Sequence, residues 1–284
     1  AAVPEIIGTT RVSGNVIYYD DFTAHEHRET QRTGKGGHSK SVSITYTYTV
    51  AVILGLCEGK ISGLGRVWVG KDQYMYPNDA IQMTLFKGQA NQQPWAYVSG
   101  KHPDKALPYT GLAYMAGVID LGDSGSMPNY NFEVKGKLLS SGDGVDANPA
   151  DYIRYVLDKV GLSKTEIIGL DNYRSYCKHA DLLISTPMDQ TSAKTARDII
   201  NEIATLTNAY MFWSNDKFKI VCCDDRAYPS KNPEDPDDKG WQPNRTITYD
   251  LTADDFIPQT GGALVTYSRK DSSEIYNQFP VEFV

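Results

Sequence analysis

The chain has 284 residues, enough for two or three units, and its 40% hydrophobic and 11% aromatic content supports a sizeable buried core. No run approaches the roughly 18 consecutive apolar residues of a membrane span. The 28 basic and 35 acidic side chains give a net charge of −7, which removes the electrostatic basis for general adhesion to nucleic acid or anionic membrane.

Tyrosine outnumbers phenylalanine, 19 to 8, which suits half-exposed sheet faces where a ring packs and its hydroxyl stays wet. Cys57, Cys177, Cys222 and Cys223 form no C-x-x-C pair and no zinc spacing. Reduced, buried thiols are expected, and with them assembly in a cytosolic compartment. The opening Ala1-Ala2-Val3-Pro4 carries no signal pattern, and the last residues alternate up to Val284. Both ends therefore read as cuts within a longer protein.

Along the chain, Ile6-Ile7 and Val16 to Tyr19 read as two short strands around the Ser13-Gly14-Asn15 turn. Asp21 to Ser41 is rich in His, Arg, Lys, Thr and Gly, the pattern of a long polar hairpin or mobile loop. Ser43 to Thr49 alternates before the apolar run Val50 to Leu56, a strand entering a covered sheet. Turn residues at Gly59, Gly63, Gly65 and Gly70 frame Arg66 to Val69, which predicts a tight meander. Thr84-Leu85-Phe86, Leu112 to Ile119 and Asn131 to Gly136 supply further strands and close a β-rich unit over residues 1–140.

Ser140 to Asn148 has the composition of a flexible linker. Asn148 as N-cap, Pro149 in the first turn, Tyr152, Ile153, Val156, Leu157 and Val160 at helical spacing, and Gly161 as the stop predict a helix. Ser163 to Glu166 has the capping-box pattern of a second short helix, Asp181 to Ser185 reads as a strand, and a longer helix follows from about Ser192. Tyr210 to Trp213 and Phe218 to Val221 flank a hairpin turn. Residues 148–228 thus form a small α+β domain. Pro229 to Pro243 is an exposed, broken run, and strands at Thr246 to Tyr249, at Leu264 to Tyr267 and at the C-terminus predict a β segment over 244–284. The fold class is α+β, mainly β.

Chemistry-bearing patterns are sparse. Gly122 to Ser126 lacks the spacing of a nucleophile elbow, and Gly34-Lys35-Gly36-Gly37 lacks the strand-to-helix context of a phosphate loop. His25, His27 and His38 could in principle gather a transition metal, since residues two apart on a strand share a face, but no second shell is visible to fix the imidazoles, and they read as a solvated loop. Asp143, Asp146 and Asn148 depart from calcium-loop spacing. The Glu234, Asp235, Asp237, Asp238 cluster reads as a solvated loop.

Leu56-Cys57-Glu58-Gly59-Lys60-Ile61-Ser62-Gly63-Leu64-Gly65-Arg66-Val67-Trp68 resembles the Leu-Cys-Glu-Gly-x-Ile signature of tail hub proteins of siphophages and gene transfer agents, the group of the tail tip attachment proteins. The entry segment Pro4 to Ile17, Tyr109 to Tyr114, Pro128 to Val134, Asn148 to Ile153 and the final Tyr276 to Phe283 are similar in kind and in order. The resemblance implies a β-barrel-like, tube-type hub domain with a small α+β domain inserted or following, and a further partial β segment. It implies a structural, non-enzymatic virion protein at the tail tip, assembled in the host cytoplasm. Its partners would be copies of itself in a homotrimer ring, the distal tail protein and tail tube proteins, with DNA only in passage through an acid-lined lumen. It supplies no catalytic, cofactor-binding or metal residue, and the host-binding extension such hubs often carry is not present in this stretch.

Two other classes compete. The Tyr-rich strands with Trp68, Trp95, Trp213 and Trp241 suit a receptor- or carbohydrate-binding module, and paired acids are the raw material of a cell-wall hydrolase.

Overall fold

The computed structural model describes residues 3–33, 39–188, 194–246, 249–252 and 255–256. Contacts divide the chain into two compact units, Ala1–Pro243 and Asn244–Val284. The strands expected within 244–284 fall on residues outside the described set or only partly inside it.

In the first unit the chain begins with β1 (Glu5–Ile7), β2 (Thr9–Ser13), β3 (Asn15–Thr33) and β4 (Ser39–Glu58). It continues with β5 (Gly63–Val69), β6 (Asp72–Met75), β7 (Thr84–Lys87), the short helix α1 (Ala96–Lys101), β8 (Leu112–Gly122) and β9 (Tyr130–Lys135). Two four-stranded antiparallel sheets result, in the orders β2-β9-β5-β6 and β3-β4-β8-β7. Val12, Leu64, Val67, Phe132 and Val134 of the first sheet pack with Val50, Val52, Leu54, Leu56, Met115 and Ile119 of the second in one buried core. Side chains alternate across a strand, so Ile53 and Tyr114 point to the opposite side of their sheet. There Ile17, Phe86, Trp95 and Tyr109 cover them. Covering on both sides explains why Val50 to Cys57 is continuously apolar. Neither sheet returns to its first strand, so the expected barrel-like closure is not made among the described residues.

The second core belongs to α2 (Pro149–Lys159), β10 (Ile167–Ile168), α3 (Leu170–His179), β11 (Thr186–Met188), α4 (Ala196–Leu206), β12 (Ala209–Ser214) and β13 (Lys217–Cys222). The sheet β10-β13-β12 turns Phe218 and Ile220 toward Ile153, Val156, Tyr173, Cys177, Ile200 and Ile203 of the helices. The Asn148 side chain accepts from the Ala150 N–H at 2.9 Å, which is the predicted cap, and Gly161 ends the helix with a positive φ of 84°.

Four expectations change. The Ser163 capping box opens one 3-10 turn, Lys164–Glu166, and the real helix is α3, whose Leu170, Tyr173, Tyr176 and Cys177 form a buried stripe. Asp181 to Ser185 is not a strand; Asp181 takes a left-handed φ of 56°, Ile184 makes an isolated bridge to Ala147, and β11 starts one residue later. The linker is pinned rather than flexible: Asp143 Oδ1 accepts from Val145 N at 2.8 Å and Asp146 N at 2.7 Å, and the Ser185 hydroxyl donates to Asp146. Finally, β1 does not pair within the first sheets. It runs antiparallel to β11, and Gly8, at φ 68°, turns the chain back into β2.

Candidate functional site

The most extended element is the β3–β4 hairpin. β8 accompanies β4 only as far as Tyr48, so residues 25–33 opposite 39–47 form a two-stranded ribbon. At about 3.4 Å per residue it projects roughly 27 Å. Register and alternation sort its side chains. His25, His27 and Glu29 oppose Thr47, Thr45 and Ser43 on one face, while Glu26, Arg28 and Thr30 oppose Tyr46, Ile44 and Val42 on the other. On the first face His25 Nε2 lies 2.9 Å from Thr49 Oγ1 and His27 Nε2 lies 2.8 Å from Thr47 Oγ1. On the second, Tyr46 donates to Glu26 at 3.3 Å and Arg28 pairs with Glu26 at 3.3 Å.

That second face is apolar and uncovered: Val42, Ile44 and Tyr46 are 53%, 46% and 42% exposed. A lone two-stranded ribbon is marginally stable in water. Free edges are ordinarily guarded by lysine or proline. Residues 25–33 and 39–47 contain no proline and one lysine, Lys40.

The ribbon's base is clamped. A bulge between Asp20 and Thr23 bends β3, and Asp21 sits there at φ 53°. Lys105 Nζ bonds Asp20 Oδ2 at 2.6 Å, while His102 Nε2 and the Tyr97 hydroxyl each lie 2.9 Å from Asp21 Oδ2. Hydrogen bonds, from Lys105 to Asp20 and from His102 to Asp21, hold both carboxyls below their ordinary values. Asp20, Asp21 and His102 are also, among the described residues, the group whose donor atoms gather closely enough to hold a metal ion. The Lys105 and Lys101 charges already compensate these carboxylates, so the arrangement is that of a clamp between β3 and the α1 segment.

A second node fixes β1. Glu5 is buried and receives Lys137, Tyr155 and Lys159. Burial alone would raise its carboxyl, but these three hydrogen bonds outweigh it and hold the group below its ordinary value. A third node anchors the 229–243 run: Asp238 of the supposedly solvated cluster is buried against His179 and Lys178, and Trp241 packs on Tyr176 and Tyr228. These nodes join residues 59 to 154 positions apart, so no local spacing announces them.

Of the residues singled out in the sequence, His25 and His27 do share a face, and His38 lies outside the described residues. Cys57 and Cys177 are buried, with burial raising their thiols to about 11 and about 12, whereas Cys223 is exposed. The four tryptophans do not form one platform. Trp68 lies beneath Arg11 at 4.2 Å, Trp95 stacks on Tyr97 at 4.8 Å, Trp241 is core, and Trp213 is 61% exposed. No helix among the described residues is long and apolar enough to cross a membrane.

Residues 195–284 match the family model described as "Putative phage tail protein". The fold is similar to that of a chain in a solved structure titled "Virion of native gene transfer agent (GTA) particle", with a TM-score of 0.53 and 19% identity. That likeness covers 80% of this chain and 53% of the other, so the chain spans about half the length of its structural relative. No curated protein sequence matches significantly. The family match is thus confined to residues 195–284, and the structural likeness, at 19% identity, is one of fold.

Proposed function

We propose that this chain is part of a tail hub, a non-enzymatic ring subunit that joins the tail tube to the tail tip and surrounds the DNA channel. The observation that carries the reading is the ribbon. Its two edges, which have no partner strand among the described residues, and exposed Val42, Ile44 and Tyr46 ask for cover from other chains. If the free edge of β3 in one copy meets the free edge of β4 in the next, the contact is head-to-tail, and repeated around an axis it closes a ring. Such a ring would supply the barrel closure that the open sheets lack. In this reading residues 1–140 are the hub domain, 148–228 the α+β domain that widens the ring, and 244–284 the start or completion of another β domain. Three copies, the distal tail protein and the tube are the partners, at the virion tail tip after assembly in the host cytoplasm.

The test is an arm deletion in the full-length protein, replacing residues 26–46 by an Asn-Gly turn. The hub reading predicts that the intact protein forms trimers and the deletion variant stays monomeric while still folded. Equal oligomeric states for the two would sink it.

A receptor- or carbohydrate-binding role draws on Tyr210, Phe212 and Trp213, which are exposed at 70%, 44% and 61% along β12. Glycan-array binding lost on their replacement would favour it.

A further inference from the structure

We propose that the free edge of β12 receives an extended, acid-bearing segment of another protein as an added strand. The proposal stands on the α+β domain alone and does not depend on the hub reading.

Hydrogen-bond phase shows which main-chain groups are open. The Cys223 N–H donates to the Asn208 carbonyl oxygen at 2.9 Å, and the register runs on from that pair to Ser214 opposite Lys217. Residues of an antiparallel strand turn alternately toward and away from the partner strand. Tyr210, Phe212 and Ser214 therefore bond to β13, while Ala209, Met211 and Trp213 turn their N–H and C=O groups outward. No strand lies beyond β12 among the described residues. Other edges are guarded by charge or proline: β11 carries Pro187, β7 ends in Lys87, β6 starts at Asp72 and β2 carries Arg11. β12 reads Ala-Tyr-Met-Phe-Trp-Ser and has neither.

The side chains favour a peptide over a sugar. Tyr210 and Phe212 are exposed on the outer face with Val221 and Ile168, whereas Trp213 stands on the helix side, edge-on to Phe218 at 5.7 Å. The three rings thus make no single stacking platform. They form two apolar shoulders astride an open edge, which an extended chain grips with alternate side chains while its main chain bonds to Met211 and Trp213.

Charge sets the chemistry of that chain. Lys219 lies opposite Phe212 and reaches across to Ser214 Oγ at 3.2 Å, so its ammonium sits over the edge strand itself. Lys217 is turned away, to the Thr165 carbonyl oxygen at 3.2 Å. Among the described residues no carboxylate, that of Asp216 in the turn included, pairs with Lys219. An acid on the added strand beside Ser214, about 4.8 Å from β12, meets that charge.

Binding is measured by fluorescence anisotropy on the full chain, with a labelled peptide that alternates valine and glutamate and a counterpart with lysine for glutamate. The glutamate peptide should bind roughly tenfold more tightly, as when one attraction becomes a repulsion. Met211→Pro removes an outward N–H that β13 does not use, so it should abolish binding and leave the fold, read by a thermal melt, in place. Trp213→Pro repeats the test at an exposed position where Met211→Pro fails to fold. Lys219→Glu should reverse the preference to the lysine peptide. No binding by the wild type at about 1 mM peptide would overturn the inference, as would binding unchanged by both proline variants or equal affinity for the two peptides. A glycan, or a second copy of the chain, bound by the wild type and lost in the proline variants while the peptides are ignored would give the edge to that occupant instead.

Discussion

His179 Nε2 stands 2.5 Å from Asp238 Oδ1, and the same ring turns Nδ1 to the Ser175 carbonyl oxygen at 2.6 Å, so both nitrogens of a buried imidazole face acceptors. Asp238 also accepts from Lys178 at 2.9 Å, and hydrogen bonds from His179 and Lys178 hold its carboxyl well below the usual range. One acid of a proline-broken, otherwise exposed run thereby ties residues 229–243 to α3, with the Tyr228–Trp241 bridge closing the loop behind it.

Removing that anchor should free the loop before it unfolds the core. Asp238→Asn leaves the buried imidazole facing an amide. Limited proteolysis should then cut between residues 229 and 240 at a protease dose that leaves the wild type whole. Cleavage at equal rates would show that Trp241, not Asp238, holds the loop.

The Glu5 node sets an acid limit. Its carboxyl is lowered in the folded state, so its contribution is present above the ordinary carboxylate value and is lost as pH falls through the folded one. Lys159 is raised, first by its hydrogen bond to Glu5, so its share is present below the ordinary lysine value and is lost as pH rises through the folded one. Urea midpoints of the wild type should therefore fall toward pH 3. In Glu5→Gln the drop between pH 6 and pH 3 should be smaller, because the titrating partner is gone.

Close backbone approach explains Gly136, where an added Cβ would meet the Ile6 carbonyl oxygen at 2.3 Å, while one at Gly63 meets nothing within 4 Å. Gly136→Ala should cost about 1–3 kcal/mol, the usual penalty for overpacking. Gly63→Ala should stay near neutral. Chemical denaturation of the two variants checks the contrast, and equal losses would refute the packing argument.

Hydrogen exchange should grade β4 along its length. Amides of Val50 to Cys57 lie between two covered faces, whereas those on the outer edge of residues 41–47 have no neighbouring strand among the described residues. The former should resist exchange to near global unfolding and the latter should exchange early. Uniform protection along β4 would mean that the ribbon finds cover without a partner.

Much of this architecture was readable because it is local. The alternation of Ser43 to Thr49, the apolar run Val50 to Leu56 and the Asn148-Pro149 helix start each record one element's own environment in a few adjacent residues. The ribbon was legible as a hairpin too, though its length was not, since polar composition reads as hairpin or loop alike. What escaped is what depends on distant partners. β1 looks like any short strand, and only its pairing with β11 shows that it crosses to the second core. Asp20, Asp21 and His102 meet through a bulge and a helix 81 residues away, and Asp238 is distinguished from Asp235 and Asp237 solely by which of them reaches α3.

The central claim is that this chain surrounds the tail channel, and a density map of the assembled tail tests it most directly. The account predicts three copies at the junction of tube and tip, each ribbon covered on its edges by a neighbour. Density that places the chain at the tail periphery, with residues 25–47 free in solvent, would contradict it.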